Sequence, residues 1–206
     1  MQRIPKVRRH PDLSGADRLV SEYQHFPRSP LQIFYPGAEG GNAVADILFG
    51  KVSPSGRLPI TFYGSDSDLP DFTDYSMQNR TYKYFRKKPL YPFAHGLSYT
   101  DFTYEKLSFD GSFVSGTLKN TGSVSSGHVI PVFLKDPEDN TVNCRLAGYQ
   151  RLELDPGESA FFRIRLCPEI IERFCAPSRL TALVDGINGP AIGITAEKMS
   201  DAAPET

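Results

Sequence analysis

The residues of this 206-residue chain that could do chemistry are carboxylates and histidines. Glu39 follows a Pro-Gly turn at the start of a predicted helix, where free backbone N–H groups stabilise its charged form and make it a poor acid. We therefore expect Glu39 to cap the helix, and Asp46 within that helix to face an arginine or solvent. His95 and His128 have no serine or cysteine in a nucleophile-elbow context, so we expect packing or surface roles. We assign no catalytic residue.

The acidic stretch at residues 64–79 raises the question of a calcium site. Its carboxylates are Asp66, Asp68, Asp71 and Asp74. An EF-hand loop needs a glycine at its sixth position and a glutamate at its twelfth, and this order does not match. We expect a solvated acidic loop and no bound metal.

The three cysteines, Cys144, Cys167 and Cys175, fit no zinc-binding spacing. An odd count argues against a disulfide framework, although a Cys167–Cys175 bridge stays open. Burial as small apolar residues is the simpler interpretation. The glycines follow neither a dinucleotide-binding nor a phosphate-binding pattern, so no cofactor is expected.

Charge and hydropathy limit the partners. The net charge is −1 with lysines and arginines scattered along the chain, which argues against nucleic acid. No apolar run reaches 18 residues, so no transmembrane helix is expected. The basic N-terminus lacks the apolar core of a secretory signal. Unpaired cysteines lean slightly toward a reducing, cytoplasmic compartment.

Residues 35–62 hold the densest local signals. Apolar residues at helical spacing between Ala43 and Leu48 predict a short helix, with Gly41 and Asn42 where an N-cap belongs and Gly50 at the C′ position. A turn follows, and residues 58–62 predict a strand.

Two aromatic runs come next. Residues 80–85 alternate and predict a strand with Tyr82 and Tyr84 on one face. Tyr91 and Phe93 lie in a proline-rich connector. These four rings could stack on sugars, but aromatic side chains dominate contacts between domains, and we favour such a contact.

From residue 104 the pattern is typical of a β-sandwich. Turns recur every 8–12 residues, Pro131 suggests an edge strand or a bulge, and alternation in residues 159–166 turns Ala160, Phe162, Ile164 and Leu166 inward. Residues 168–174 predict one helical turn. The seven predicted strands are residues 104–109, 112–119, 128–134, 145–154, 159–166, 179–184 and 191–195.

These motifs together resemble the C-terminal part of glycoside hydrolase family 3. The runs that carry the resemblance are YPGAEGGNAVADILFGKVSPSGRLPITF, RTYKYF, PLYPFAHGLSYTDFTYEKLSF, LKNTGSVSSGHVIPVFLKD and CRLAGYQRLELDPGES. DLPDFTDYSM before RTYKYF is more similar to the β-xylosidase and β-glucosidase branch. One departure is Ala94, where the family usually has glycine.

The resemblance implies a mostly β chain: a fibronectin type III-like (immunoglobulin-like) β-sandwich preceded by a remnant of an α/β sandwich domain. The implied division is residues 1–30 unmatched, 31–85 the end of the α/β sandwich, 86–103 a connector, 104–197 the fibronectin type III-like domain and 198–206 a tail.

The family's aspartate nucleophile comes from an upstream barrel and its acid/base glutamate from an upstream part of the α/β sandwich. The resemblance therefore implies those regions as partners, β-glycosides as substrates of the whole enzyme, and no activity in this chain alone. Two alternatives stay open. One is a free-standing module that binds carbohydrate or a partner. The other is a truncated product, favoured by the apolar helix face at Val44, Ile47 and Leu48.

Overall fold

A computed structural model describes residues 30–174, 180–185 and 192–195. Within them the chain forms two antiparallel sheets, and all seven predicted strands are confirmed with shifted ends. The strands are β1 Phe102–Phe109, β2 Phe113–Asn120, β3 Ser126–Lys135, β4 Arg145–Leu154, β5 Ser159–Arg165, β6 Thr181–Val184 and β7 Ile192–Thr195. The predictions for residues 1–29, Cys175 and the tail from residue 198 lie outside the described residues.

The two sheets pack as a sandwich. The smaller sheet has the order β1-β2-β5 and the larger sheet has the order β4-β3-β6-β7. Strand alternation supplies the core, since Val114 and Leu118 on β2 meet Phe162 and Ile164 on β5 inside the sandwich. The inward face predicted for residues 159–166 is confirmed, with Arg163 and Arg165 exposed outside.

Pro131 lies on β3, which is a central strand between β4 and β6. The edge-strand alternative is therefore wrong, but the ladder with β4 shifts register between Val132 and Phe133, directly beside the proline. The ladder with β6 begins at Val132, and Asp185 N–H donates to the Pro131 carbonyl at its end. Proline is tolerated here because it stands at a bulge and at a ladder end.

Residues 30–101, hereafter the leading segment, contain two α-helices, α1 Gly40–Leu48 and α2 Thr81–Tyr84, and a 3₁₀ turn at Asp66–Asp68. The predicted C′ glycine is confirmed: Gly50 has φ +74° and its N–H donates to the Ile47 carbonyl. The predicted helical turn after β5 is confirmed as α3 Pro168–Ile171, with proline in its first turn. None of the described helices is long and apolar enough to cross a membrane.

Two strand predictions in the leading segment are wrong. Residues 80–85 form α2 instead, preceded by a turn in which Arg80 N–H donates to the Met77 carbonyl. Residues 58–62 form only one isolated bridge, between Phe62 and Tyr91. A strand needs a neighbour along its length, and alternation in the sequence does not supply one.

The leading segment covers part of the outer face of the larger sheet. Phe133 points outward from β3 and is fully buried beneath Ala94, with Tyr82 and Phe93 packed against it. The described residues therefore form two apolar clusters, one between the sheets and a smaller one between the larger sheet and the leading segment.

Candidate functional site

Aromatic side chains form the centre of the contact between the leading segment and the sandwich. The rings of Tyr82 and Phe93 stack with centroids 4.5 Å apart and planes at 22°. Both meet the Phe133 ring edge-on, at 5.8 Å and 6.0 Å. Such pairs contribute about 0.5–1.5 kcal/mol each beyond area burial. The stack fixes α2 on the outer face of the larger sheet.

Polar bonds hold α2 in the same place. The Tyr82 hydroxyl accepts from Leu146 N–H at 3.1 Å, next to the β3–β4 register shift. Asn143 Nδ2 donates to the Tyr82 and Phe85 carbonyls at 2.9 Å and 2.7 Å, and Asn143 N–H donates to the Lys83 carbonyl at 2.7 Å. Burial raises the pKa of the Tyr82 hydroxyl, which therefore stays protonated at neutral pH.

The four predicted contact residues do not form one surface. Tyr91 lies against Phe62, with centroids 6.3 Å apart, and stacks on His95 at 5.4 Å. Tyr84 is half-buried at the end of α2. Only Tyr82 and Phe93 are brought together. The role of these residues in sugar binding or domain contact stays a prediction.

A small pocket lies beside the stack, with a volume of about 10 Å³, the space of a single water. The Thr61 hydroxyl is buried there without a hydrogen-bond partner. The pocket therefore has room for one water beside the Thr61 hydroxyl. Its lining residues are Thr61, Tyr82, Phe85, Pro89, Pro92 and Phe93.

The candidate carboxylates have local partners. Glu39 is the N-cap residue of α1, but its side chain does not accept the expected hydrogen bond from a helix N–H. Instead, Asn42 Nδ2 donates to the Glu39 carboxylate at 2.5 Å. Asp46 pairs with Lys51 at 2.9 Å, not with an arginine. All of these side chains lie at the surface, without the apolar surroundings that make a carboxyl group a proton donor.

The acidic loop is held by its own carboxylates. Asp71 accepts from Thr73 and Asp74 accepts from Ser76, bonds that lower the pKa of both carboxyl groups. Asp68 pairs with Lys87 at 2.7 Å, which lowers its pKa in the same way. No cluster of His, Cys, Asp or Glu in the described ranges could hold a metal ion.

The cysteines behave differently from one another. Cys144 is 1% exposed within the smaller apolar cluster, and burial raises the pKa of its thiol to about 12. It is therefore an inert packing residue, as expected. Cys167 is half-buried, and its thiol donates to Glu169 at 2.8 Å.

Local sequence signals do not predict a polar cluster where the leading segment meets the sandwich, which we call the Arg57 cluster (Arg57, Tyr104, His128 and Asp185). Arg57 Nη2 donates to Asp185 Oδ1 at 2.6 Å and lies 3.2 Å from His128 Nε2. The Tyr104 hydroxyl lies 2.8 Å from the same ring nitrogen. Four distant stretches meet here, and nothing in their local sequence links them.

Comparisons with known proteins agree with the resemblance. The model of the glycosyl hydrolase family 3 C-terminal domain matches residues 15–99. The xylan 1,4-β-xylosidase of Xylanibacter ruminicola is 40% identical over 149 residues, which cover 69% of this chain and 17% of that protein. The probable β-glucosidase I of Emericella nidulans is 36% identical over 156 residues, covering 63% of this chain and 19% of that protein.

Among solved structures, β-glucosidase 3B from Thermotoga neapolitana in complex with α-D-glucose superposes with a TM-score of 0.63 at 28% identity. The superposition covers 77% of this chain and 27% of that chain. The chain spans less than a fifth of the length of the two curated relatives, the xylosidase and the β-glucosidase I. The expectation that residues 1–30 lie outside the family is wrong for residues 15–30, which the family model includes.

Proposed function

We propose that this chain stabilises the catalytic part of a β-glycosidase and has no glycosidase activity alone, because it belongs to glycoside hydrolase family 3 and matches the C-terminal part of those enzymes. The proposal rests above all on the contact between α2 and the outer face of the larger sheet. That contact joins the leading segment to the fibronectin type III-like sandwich through the Tyr82–Phe93–Phe133 stack. The sandwich would thereby hold the segment in the shape that the rest of the enzyme meets.

The distribution of exposed apolar side chains supports a docking role. Of the fourteen large apolar side chains that are exposed in the described residues, eleven belong to the leading segment. Extended exposed apolar surface is typical of interaction sites. We propose that the upstream barrel and α/β sandwich of a family 3 enzyme cover this surface. The eleven are Phe34, Tyr35, Phe49, Val52, Ile60, Leu69, Phe72, Tyr75, Met77, Leu97 and Tyr99.

The carboxylates support the absence of independent activity. Retaining glycoside hydrolysis needs two carboxyl groups about 5–5.5 Å apart, one as nucleophile and one as acid/base. Glu39 and Asp46 instead bond to Asn42 and Lys51 at the surface of α1. We propose that β-xylosides or β-glucosides are substrates of the whole enzyme.

The first test is a direct assay of the 206-residue chain on nitrophenyl β-xyloside and β-glucoside. We expect no turnover above buffer. Turnover above buffer would overturn the proposal. Turnover that persists in a variant lacking both the Glu39 and Asp46 carboxylates would show in addition that this chain contains a further active site.

The second test is complementation. The Xylanibacter ruminicola xylosidase, cut before the region that matches this chain, is mixed with the chain, and binding and xylosidase activity are measured. We expect a complex, weakened by Phe49→Ser but not by Phe161→Ser. The two phenylalanines are similarly exposed, at 73% and 67%, but Phe161 lies on the smaller sheet, away from the leading segment. Equal binding by both variants would contradict docking through the leading segment.

A further inference from the structure

Two aromatic rings of the acidic loop, residues 64–79, extend almost completely into solvent. Phe72 is 92% exposed and Tyr75 is 91% exposed. Leu69 and Met77 of the same loop are exposed as well, at 41% and 49%, so the rings belong to a group and are not scattered singly. A group of exposed apolar side chains on one loop is typical of a surface that another molecule covers.

The backbone that carries the two rings is held in place from one side. Arg80 Nη2 donates to the Asp71 and Asp74 carbonyls at 3.2 Å and 2.7 Å. Each of these carbonyls directly precedes one of the two rings in the chain. At the end of the loop, Thr81 N–H donates to the Tyr63 hydroxyl at 2.8 Å. A side chain on a backbone that is already ordered loses less conformational entropy on binding, which suits both rings to act as anchors.

The charge of the acidic loop limits the surfaces that can cover these rings. Residues 64–79 contain four aspartates and no lysine or arginine. Arg80 and Lys87 are the cations that bond to the loop within the described residues, so four carboxylates meet two cations. An acidic partner is repelled by this excess of negative charge, whereas arginine and lysine side chains attract the carboxylates and stack on aromatic rings.

The remainder of a family 3 enzyme is the partner that the comparisons favour. The family model matches residues 15–99, so the acidic loop lies inside the family domain. The chain spans 17% of the Xylanibacter ruminicola xylosidase, and most of such an enzyme therefore lies outside the matched region. The loop is also continuous with the other exposed apolar side chains of the leading segment, to which we have assigned the docking of that part.

We propose that Phe72 and Tyr75 are the anchors of this docking surface, and that they enter an apolar site rimmed by arginine or lysine side chains on the catalytic part of the enzyme. The loop aspartates face that basic rim and accelerate the encounter of the two parts. This inference rests on the proposed function, and it adds the anchor residues and the charge of the partner surface.

Truncation of the rings tests the anchors in the complementation assay. The whole chain is mixed with the Xylanibacter ruminicola xylosidase cut before the matching region, and the Kd of the complex is measured. We expect Phe72→Ser and Tyr75→Ser each to raise Kd about 30-fold, the lower limit for a hot-spot residue. Phe161→Ser is the matched control, because its ring is 67% exposed on the smaller sheet, and it should leave Kd unchanged.

Salt and charge variants test the basic rim. Because salt screens opposite charges, the association rate of the wild-type chain should fall about tenfold between about 50 mM and about 300 mM NaCl. Asp71→Asn removes a charge but keeps an oxygen that accepts from Thr73 N–H, and it should slow association about threefold at low salt. Asp110→Asn is the control, because Asp110 accepts from Ser112 N–H in a similar turn between β1 and β2.

The outcomes separate this inference from the proposed function. A complex that Phe49→Ser weakens, but that neither Phe72→Ser nor Tyr75→Ser weakens, would overturn the inference and leave the proposed docking in place. The absence of any complex would overturn both.

Three further results would overturn the assignment of the partner surface. The first is an association rate that stays constant or rises with salt. The second is an equal slowing by Asp71→Asn and Asp110→Asn. The third is self-association of the chain alone in sedimentation, abolished by Phe72→Ser, which would assign the anchors to a second copy of this chain.

Discussion

The sandwich and the leading segment differ in how they are stabilised. Strands β2 and β3 carry side chains such as Val114, Leu118, Ile130 and Val132 that are fully buried between the sheets. Helix α1 contains no buried residue at all. Ladders between strands bring many apolar side chains into one core, whereas a nine-residue helix exposed on one side cannot bury its stripe alone.

The leading segment therefore depends on the sandwich for its order. Asn143 and Tyr82 fasten α2, and the Ser53 hydroxyl accepts from the Ser126 hydroxyl at 2.9 Å beneath the turn after α1. The core of the sandwich lies on the opposite side of the larger sheet, and the side chains that form it all come from residues 102–194, outside the leading segment. Stability should accordingly be lost in two steps, with the leading segment first.

The largest effect is expected when a buried phenylalanine is truncated to alanine, and each region contains one for comparison. Phe162→Ala leaves a cavity between the sheets and should cost about 3–5 kcal/mol of the free energy of unfolding of the sandwich. Phe85→Ala should release the leading segment with little change in sandwich unfolding, although Phe85 is 5% and Phe162 1% exposed. Chemical denaturation, with hydrogen exchange measured at the β2 amides, distinguishes a loss of sandwich stability from release of the leading segment. Equal losses at β2 would mean that the regions form one cooperative unit.

A smaller effect is expected at Asn143. Asn143→Ala leaves the Tyr82 and Phe85 carbonyls without their donor. Each buried group left unsatisfied should lower the free energy of unfolding of the leading segment by about 1–3 kcal/mol. The loss should appear as faster proteolysis of residues 64–101. Asn140→Ala is the control, because Asn140 accepts from Arg86 through its backbone carbonyl, which the substitution keeps. If both variants are cleaved alike, the Asn143 side chain does not hold α2.

Tyr82→Phe should cost about 1 kcal/mol, the usual net value of one hydrogen bond. The change removes the acceptor of Leu146 N–H but keeps the ring stack with Phe93. Tyr149→Phe, on a 71% exposed ring, is the matched control and should be neutral. Thermal unfolding of the leading segment measures both. A neutral Tyr82→Phe would show that packing alone fixes α2.

The smallest effect is expected at Glu39. Because its side chain bonds to Asn42 and not to a helix N–H, Glu39→Gln should change stability by less than about 0.5 kcal/mol. Urea denaturation measures this. A loss of 1 kcal/mol or more would restore the capping role expected from the sequence.

Much of the sandwich could be predicted because its signals are local. Period-two alternation and turn residues mark each strand, and burial on β5 follows the predicted faces residue by residue. The backbone conformation at Ala94 gives a physical reason for the residue that the family usually has there. Its φ is +65°, a left-handed conformation that favours glycine, which is the residue usual at this position in the family.

The leading segment was predicted less well because its conformation is imposed from outside. Residues 80–85 alternate like a strand, yet no strand of the described ranges lies beside them. Asn143 and Leu146 of the sandwich bond to a helical turn instead. The Arg57 cluster was not predicted at all. Its members come from residues 57, 104, 128 and 185, and their polar side chains have ordinary local contexts.

The sequence by itself determined the seven strands, the short helix that stops before Gly50 and the membership of glycoside hydrolase family 3, because periodicity, turn chemistry and long motifs are properties of neighbouring residues. Only the tertiary structure decided that Tyr82 and Phe93 stack over Phe133, that Glu39 does not cap through its side chain, and that Arg57 meets His128 and Asp185. Those outcomes depend on which distant surfaces come together, and burial and charge balance at such contacts are set by the folded chain as a whole.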